Sequence, residues 1–131
     1  MAHPNEDLLR RGYAAFASGD MEALNELFDD DIVWHTPGNN ALAGDYSGKE
    51  AVFGNLGRNM EMTGGTFNLE IHDLLANDDH GVVLLRARAE RPDGRRLDDN
   101  TVQVWHLRDG KAVESWLHPG DASASDEFWS D

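Results

Sequence analysis

The chain has 131 residues, no cysteine, and a formal net charge of −14 from 25 acidic and 11 basic side chains. This length predicts one domain over residues 1–131, and the missing thiols exclude disulfides and thiolate metal sites. The negative charge disfavours nucleic acid and anionic membranes as partners, because phosphate groups are bound by clustered lysine and arginine. The first residues are polar and acidic, unlike a signal peptide, so a cytoplasmic protein is expected.

Three segments of the first half have the apolar spacing of amphipathic helices. Asn5 is the predicted N-cap of the first helix, which ends at Gly19, and Asp20 is the predicted cap of a short second helix. A third helix is predicted over about residues 48–62. Two glycines inside it indicate either a kink with close packing or a weak helix that is merely tolerated.

One short strand interrupts the predicted helices. Apolar residues 32–34 form it, and it stops at His35, where a loop over residues 36–47 begins. Binding and catalytic groups are often placed on loops that a rigid element positions. Since the proton of histidine moves near neutral pH, His35 is a candidate functional residue.

Beyond residue 65 the apolar residues alternate with polar ones, which is the pattern of β-strands. Asp109 and Gly110 form a tight hairpin signal between the last two strands. Phe128 and Trp129 are expected to dock the polar tail onto the body or onto a second subunit. The order of elements predicts an α+β fold, with helices gathered on one side of a curved antiparallel sheet. The predicted strands cover residues 66–72, 82–90, 97–107 and 111–118.

Four segments, in order along the chain, resemble the NTF2-like superfamily, and within it the SnoaL-like polyketide cyclases and ketosteroid isomerases. They are Y-A-A-F-A-S-G-D at 13–20, L-F-D-D-D-I-V-W-H-T-P-G at 27–38, G-D-Y-S-G-K-E-A-V at 44–52 and L-R-D-G-K-A-V-E-S-W at 107–116. The resemblance implies a cone-shaped sheet that encloses an apolar pocket with three N-terminal helices, and a homodimer packed through the outer sheet face. It leaves the reaction open, because this fold serves many functions.

The resemblance also suggests catalytic groups. His35 falls where the isomerases place their proton-abstracting aspartate; the alternative is a buried histidine bonded to backbone. Asp121 falls near the acidic acid/base residue of SnoaL-type cyclases, with His118 as its partner; the alternative is that Asp121 caps the tail in solvent. The isomerase tyrosine of the first helix has Gly12 in its place, which counts against authentic steroid isomerase chemistry.

Other residues are predicted to bind the substrate. Gln103 falls near the oxyanion-hole aspartate of the isomerases, where its amide could donate to an enolate oxygen; a shift in the hairpin would put Val104 there, and an outward polar residue is the alternative. The more apolar alternating set, Gln103 and Trp105, is assigned to the pocket, and His106 to the opposite face. Aromatic residues could stack on a flat ligand or simply fill the core. The predicted substrate-binding set is Tyr13, Phe16, Phe53, Leu56, Gln103, Trp105 and Trp116.

These residues predict a cofactorless small-molecule enzyme that moves a proton on an apolar, carbonyl-bearing compound. The alternative is a non-catalytic binding protein for a hydrophobic metabolite on the same fold. No metal or cofactor is expected, because the six histidines show no metal-ligand spacing and no phosphate-binding glycine loop is present.

Overall fold

The computed structural model describes residues 3–131 and has the predicted α+β class, with three helices ahead of a run of antiparallel strands. The described helices are α1 (Pro4–Ser18), α2 (Met21–Leu27), α3 (Lys49–Met62) and α4 (Ala122–Phe128). The described strands are β1 (Phe28–Thr36), β2 (Gly44–Ser47), β3 (Asn68–Ala76), β4 (His80–Glu90), β5 (Arg96–Arg108) and β6 (Lys111–Pro119).

The first two helices begin where side chains bond to their free backbone N–H groups. The ring of His3 accepts a hydrogen bond from the backbone N–H of Asn5 (3.0 Å), and the Glu6 carboxylate accepts one from the backbone N–H of His3 (3.1 Å). Pro4 occupies the first helical position, where no backbone N–H is needed. The predicted cap at Asn5 is therefore wrong by two residues, whereas the predicted cap at Asp20 is confirmed.

The six described strands form one sheet in the order β2-β1-β6-β5-β4-β3. Strands β3 to β6 are antiparallel neighbours, and β1 joins β6 in parallel. Asp109 and Gly110 both have positive φ angles, 53° and 73°, which is the backbone of a type I′ hairpin turn. Because β1 pairs with β6, these two strands are neighbours in the sheet although they are far apart in the chain.

Two elements were not predicted. β2 lies inside the predicted loop and pairs antiparallel with β1. α4 lies inside the predicted polar tail, and the aromatic pair stands at its C-terminal end. Phe128 and Trp129 are both buried against this chain's own body, so the tail docks onto the body. They pack in a cluster with Leu42, Ala87, Ala89 and Leu97.

The main core lies between the first three helices and the inner face of the sheet. Three aromatic rings form its centre: Trp34 is 6.0 Å from Phe28 and 5.4 Å from Trp105, measured between ring centroids. Gly54 and Gly57 of α3 face open space, since a Cβ at either would meet no heavy atom within 4 Å. This fits a tolerated weak helix rather than close packing. None of the helices in residues 3–131 is long and apolar enough to cross a bilayer.

Candidate functional site

A cavity of about 120 Å³ lies between the helices and the inner face of the sheet. Its wall is mostly apolar and takes residues from α1, α2, α3 and from strands β1, β3, β4, β5 and β6. Trp129, just after α4, closes part of the wall. A largely apolar, concave space with a few polar groups is the usual form of a small-molecule site.

Five of the seven predicted substrate-binding residues lie in this wall: Tyr13, Phe16, Leu56, Gln103 and Trp105. The other two lie elsewhere.

Phe53 packs beside the cavity, with its ring centroid 5.7 Å from that of Phe28. Trp116 lies on the opposite face of the sheet, because its neighbours Ser115 and Leu117 point inward. The expected placement of these two residues in the pocket is therefore corrected.

A chain of hydrogen bonds joins the polar side chains at the inner face of β5. Trp105 Nε1 donates to the Tyr13 hydroxyl (3.1 Å), which donates to Gln103 Oε1 (2.5 Å). Gln103 Nε2 donates to the hydroxyl of Ser115 (2.9 Å). Burial raises the pKa of Tyr13 well above its usual value, against a smaller lowering by the Trp105 hydrogen bond. The phenol therefore stays protonated, and Gln103 is held at both ends of its amide.

A second set of polar wall residues, Trp34, Thr36 and Asn55, lay outside the predicted substrate-binding set. Within residues 3–131, their atoms Trp34 Nε1, Thr36 Oγ1 and Asn55 Oδ1 are buried and make no hydrogen bond. Trp34 and Thr36 share the inner face of β1, while Asn55 lies on α3, which packs over that strand. The alternation of β1 indicates its inner face, because Ile32 and Trp34 are a more apolar pair than Val33 and His35.

Asp99 is the one charged side chain in the described wall, which contains no lysine, arginine or histidine. Its Oδ2 atom accepts hydrogen bonds from the backbone N–H groups of Gly120 (3.0 Å) and Asp121 (3.4 Å). A pair of adjacent aspartates near a turn, such as Asp98 and Asp99, is typical of solvated surface. Asp98 does point away, toward Arg86, so alternation along β5 separates the two carboxylates.

His35 does not line the cavity, which corrects the expected placement of this candidate base. Its ring stacks on Trp116 on the outer face of the sheet, with centroids 5.0 Å apart. One ring nitrogen bonds to Glu114 and the other to Asp45, each at 2.7 Å. The hydrogen bond with Glu114 is the main cause that raises the pKa of His35, and Asp45 adds to it. His106 contacts the same tryptophan, at 4.7 Å between centroids, on the outward face that alternation predicted.

His118 and Asp121 do not join a site in the cavity either. His118 is exposed, because Leu117 and Pro119 on either side of it point into the cavity. Asp121 is also exposed, and its side chain caps α4 by accepting from the backbone N–H of Ala124 (3.0 Å). Asp121 therefore lies in solvent and caps the tail, which was the alternative expectation for this residue. In residues 3–131, no three histidine, aspartate or glutamate side chains are arranged to hold a metal ion.

Residues 9–115 match the family described as the SnoaL-like domain. The chain belongs to this family. Among solved structures, this SnoaL-like domain is similar to Bal32a from a soil-derived mobile gene cassette, with 44% identity, a TM-score of 0.93 and 98% of each chain covered. An NTF2-like protein from Burkholderia xenovorans is 21% identical, with a TM-score of 0.84 over 99% of this chain and 98% of that one. The fold is therefore NTF2-like, as the resemblance implied.

A third similar structure is IdmH from Streptomyces antibioticus, described as a candidate polyketide cyclase. It is 25% identical, with a TM-score of 0.73 over 90% of this chain and 92% of that one. This SnoaL-like domain thus has a polyketide-cyclase-like structural neighbour. Its own chemistry has to be argued from its cavity, because one fold carries many activities.

Proposed function

We propose that this SnoaL-like domain binds a small apolar molecule in the cavity between its helices and the inner face of the sheet. The observation that carries the proposal is the cavity itself: about 120 Å³ of space, walled by the rings of Tyr13, Phe16, Trp34 and Trp105 among other apolar groups. Removing an apolar ligand from water into such a wall is favourable in proportion to the area it buries.

Calorimetric titration with acetophenone, whose single ring suits a cavity of about 120 Å³, tests this binding. We expect saturable binding to the wild-type protein and weaker binding to Ala87→Leu, because Ala87 lies in the wall and a larger side chain there occupies cavity space. Val102→Leu is the matched control, since Val102 lies on the outer face of the adjacent strand. Absence of saturable binding, or equal binding by both variants, would contradict a site in the cavity.

The second candidate function is proton transfer on the bound molecule, with Asp99 as the base. Asp99 favours it because it is a carboxylate in an otherwise uncharged wall, and the Gly120 N–H holds one of its oxygens. A positioned carboxylate can accept a proton from carbon next to a carbonyl group. The likeness to IdmH also supports carbonyl chemistry.

Deuterium exchange into the methyl group of acetophenone, followed by proton NMR in D₂O, tests this second function. We expect the wild-type protein to speed the exchange and Asp99→Asn to lose that effect. Asp98→Asn should keep it, because Asp98 pairs with Arg86 on the other face. Binding of the ketone without faster exchange would leave a binding protein and contradict the enzyme.

We also propose that the outer face of the sheet packs against a second copy of the chain. Val82, Leu84, Val102, Val104 and Trp116 leave part of their apolar surface exposed on that face. Light scattering after size exclusion should give twice the 14.5 kDa mass of one chain. Val104→Lys should give the monomer mass and Gly54→Lys, on the exposed side of α3, should not; a wild-type monomer would contradict the dimer.

A further inference from the structure

Three polar atoms without partners belong to residues of the proposed binding cavity's wall, and we infer that they recognise its ligand. We call Trp34, Thr36 and Asn55 the β1–α3 polar group. The geometry points to a neutral ring compound whose carbonyl or hydroxyl oxygen bonds to this group. This inference rests on the proposed binding function and specifies the class of ligand.

The three unpaired atoms of the β1–α3 polar group are buried. Trp34 is 6% exposed and Asn55 is 3% exposed, yet Trp34 Nε1 and Asn55 Oδ1 make no hydrogen bond within residues 3–131. Buried polar atoms in folded proteins nearly always have a partner, because leaving one unpaired away from water is costly. The missing partners are therefore expected to come from a molecule inside the cavity.

The unpaired atoms are concentrated in one part of the protein. Every buried side-chain nitrogen or oxygen that has no hydrogen-bond partner in residues 3–131 belongs to a residue of the cavity wall. In the neighbouring polar chain of Trp105, Tyr13, Gln103 and Ser115, by contrast, each side chain has a partner within the protein. The wall therefore contains one polar set that the protein satisfies internally and one that it leaves for a ligand.

The donor and acceptor character of the three atoms indicates which polar groups the ligand carries. An indole N–H only donates, so Trp34 requires an acceptor such as a carbonyl oxygen. The Thr36 hydroxyl can donate or accept, and Asn55 Oδ1 accepts from a hydroxyl group. A ring compound with a hydroxyl group meets all three requirements, and one with a carbonyl group meets those of Trp34 and Thr36.

The charge of the wall indicates the charge of the ligand. Asp99 is the one charged group that lines the described cavity, and no cationic side chain lies there. A ligand carboxylate would lose its hydration without gaining a positive partner, and Asp99 would repel it. The net charge of −14 opposes the approach of an anion as well. A neutral ligand is therefore favoured over an acid of the same shape.

Three probes with one ring system test this inference: acetophenone, ethylbenzene and benzoate, each titrated calorimetrically. The wild-type protein should bind the ketone about tenfold more tightly than the ethyl compound, the range of one good hydrogen bond. It should bind the benzoate most weakly. Trp34→Phe, which keeps an aromatic side chain and removes the N–H donor, should abolish the preference for the ketone over the ethyl compound.

Trp116→Phe is the matched control, because it removes the same N–H group from the outer face of the sheet. It should keep the wild-type preference for the ketone. Thr36→Val is a second test that does not depend on the folding of Trp34→Phe, and it should also reduce the preference. Equal wild-type affinities for ketone and ethyl compound, or a preference that survives in both variants, would overturn recognition by the polar group while cavity binding stands. Failure of all three probes to bind would overturn the proposed function itself.

Discussion

Gln103→Leu tests whether the hydrogen-bonded chain in the cavity wall stabilises the fold. Gln103 is 2% exposed and Ser115 is 1% exposed, so the substitution removes two internal hydrogen bonds and leaves the Ser115 hydroxyl buried without its donor. The Tyr13 hydroxyl suffers less, because it still accepts from Trp105. With about 1–3 kcal/mol for each buried group left unsatisfied, the free energy of unfolding should fall by about 2–4 kcal/mol.

Urea unfolding followed by circular dichroism measures this loss. Thr101→Val is the control, because it removes a hydroxyl from the same strand face outside the chain of bonds, and it should cost less than about 1 kcal/mol. Tyr13→Phe combined with Gln103→Leu should cost less than the sum of the two single changes, since they share one bond. A Gln103→Leu protein as stable as Thr101→Val would refute the stabilising role of the chain.

Two further predictions concern the outer face of the sheet and the glycines. Since Glu114 raises the pKa of His35 above its usual 6.5, that stabilisation is fully present below the unfolded pKa and is lost as the pH rises through the folded value. The melting temperature of His35→Gln should therefore lie below that of the wild type at about pH 6, and this difference should close by about pH 9. A difference that does not depend on pH would contradict the pairing. Gly120→Ala should destabilise, because its Cβ would lie 2.4 Å from the carbonyl oxygen of Asn100. Gly54→Ala, in open space on α3, should stabilise by up to about 1 kcal/mol; equal melting temperatures for the two glycine variants would contradict this packing.

The class and order of the fold were predictable because long segments have a clear period. Helices α1 and α3 carry apolar residues at helical spacing, and strands β4 and β5 alternate over their whole length. β2 was not predictable from its own sequence, since its four residues are mostly exposed and show no apolar alternation. It exists because the backbone of β1 supplies its hydrogen-bond partners.

The cavity side of β5 was also predictable, since Gln103 and Trp105 lie in the wall where the more apolar alternating set was placed. The side of β1 was predicted wrongly. A histidine at a strand end suggested a base in the pocket, but His35 lies outside and Trp34 and Thr36 lie inside. Alternation alone gives two opposite faces and does not say which one meets the helices.

The position of Asp99 shows a different limit of sequence reasoning. A pair of adjacent aspartates near a turn is typical of solvated surface, and Asp98 fits that description with its ion pairs to Arg86 and Arg88. Asp99 is turned inward by the strand, and the backbone of Gly120 from the next strand end approaches it. That approach depends on a contact between residues far apart in the chain, which no local pattern reports.

The NMR signals of the four tryptophan indole N–H groups test the central claim most directly. On titration with acetophenone, the Trp34 signal should shift most, because its N–H lies unpaired in the cavity wall. The Trp116 signal, on the outer face of the sheet, should stay in place. A shift of Trp116 with Trp34 unmoved, or no shift of any signal, would contradict ligand binding in this cavity.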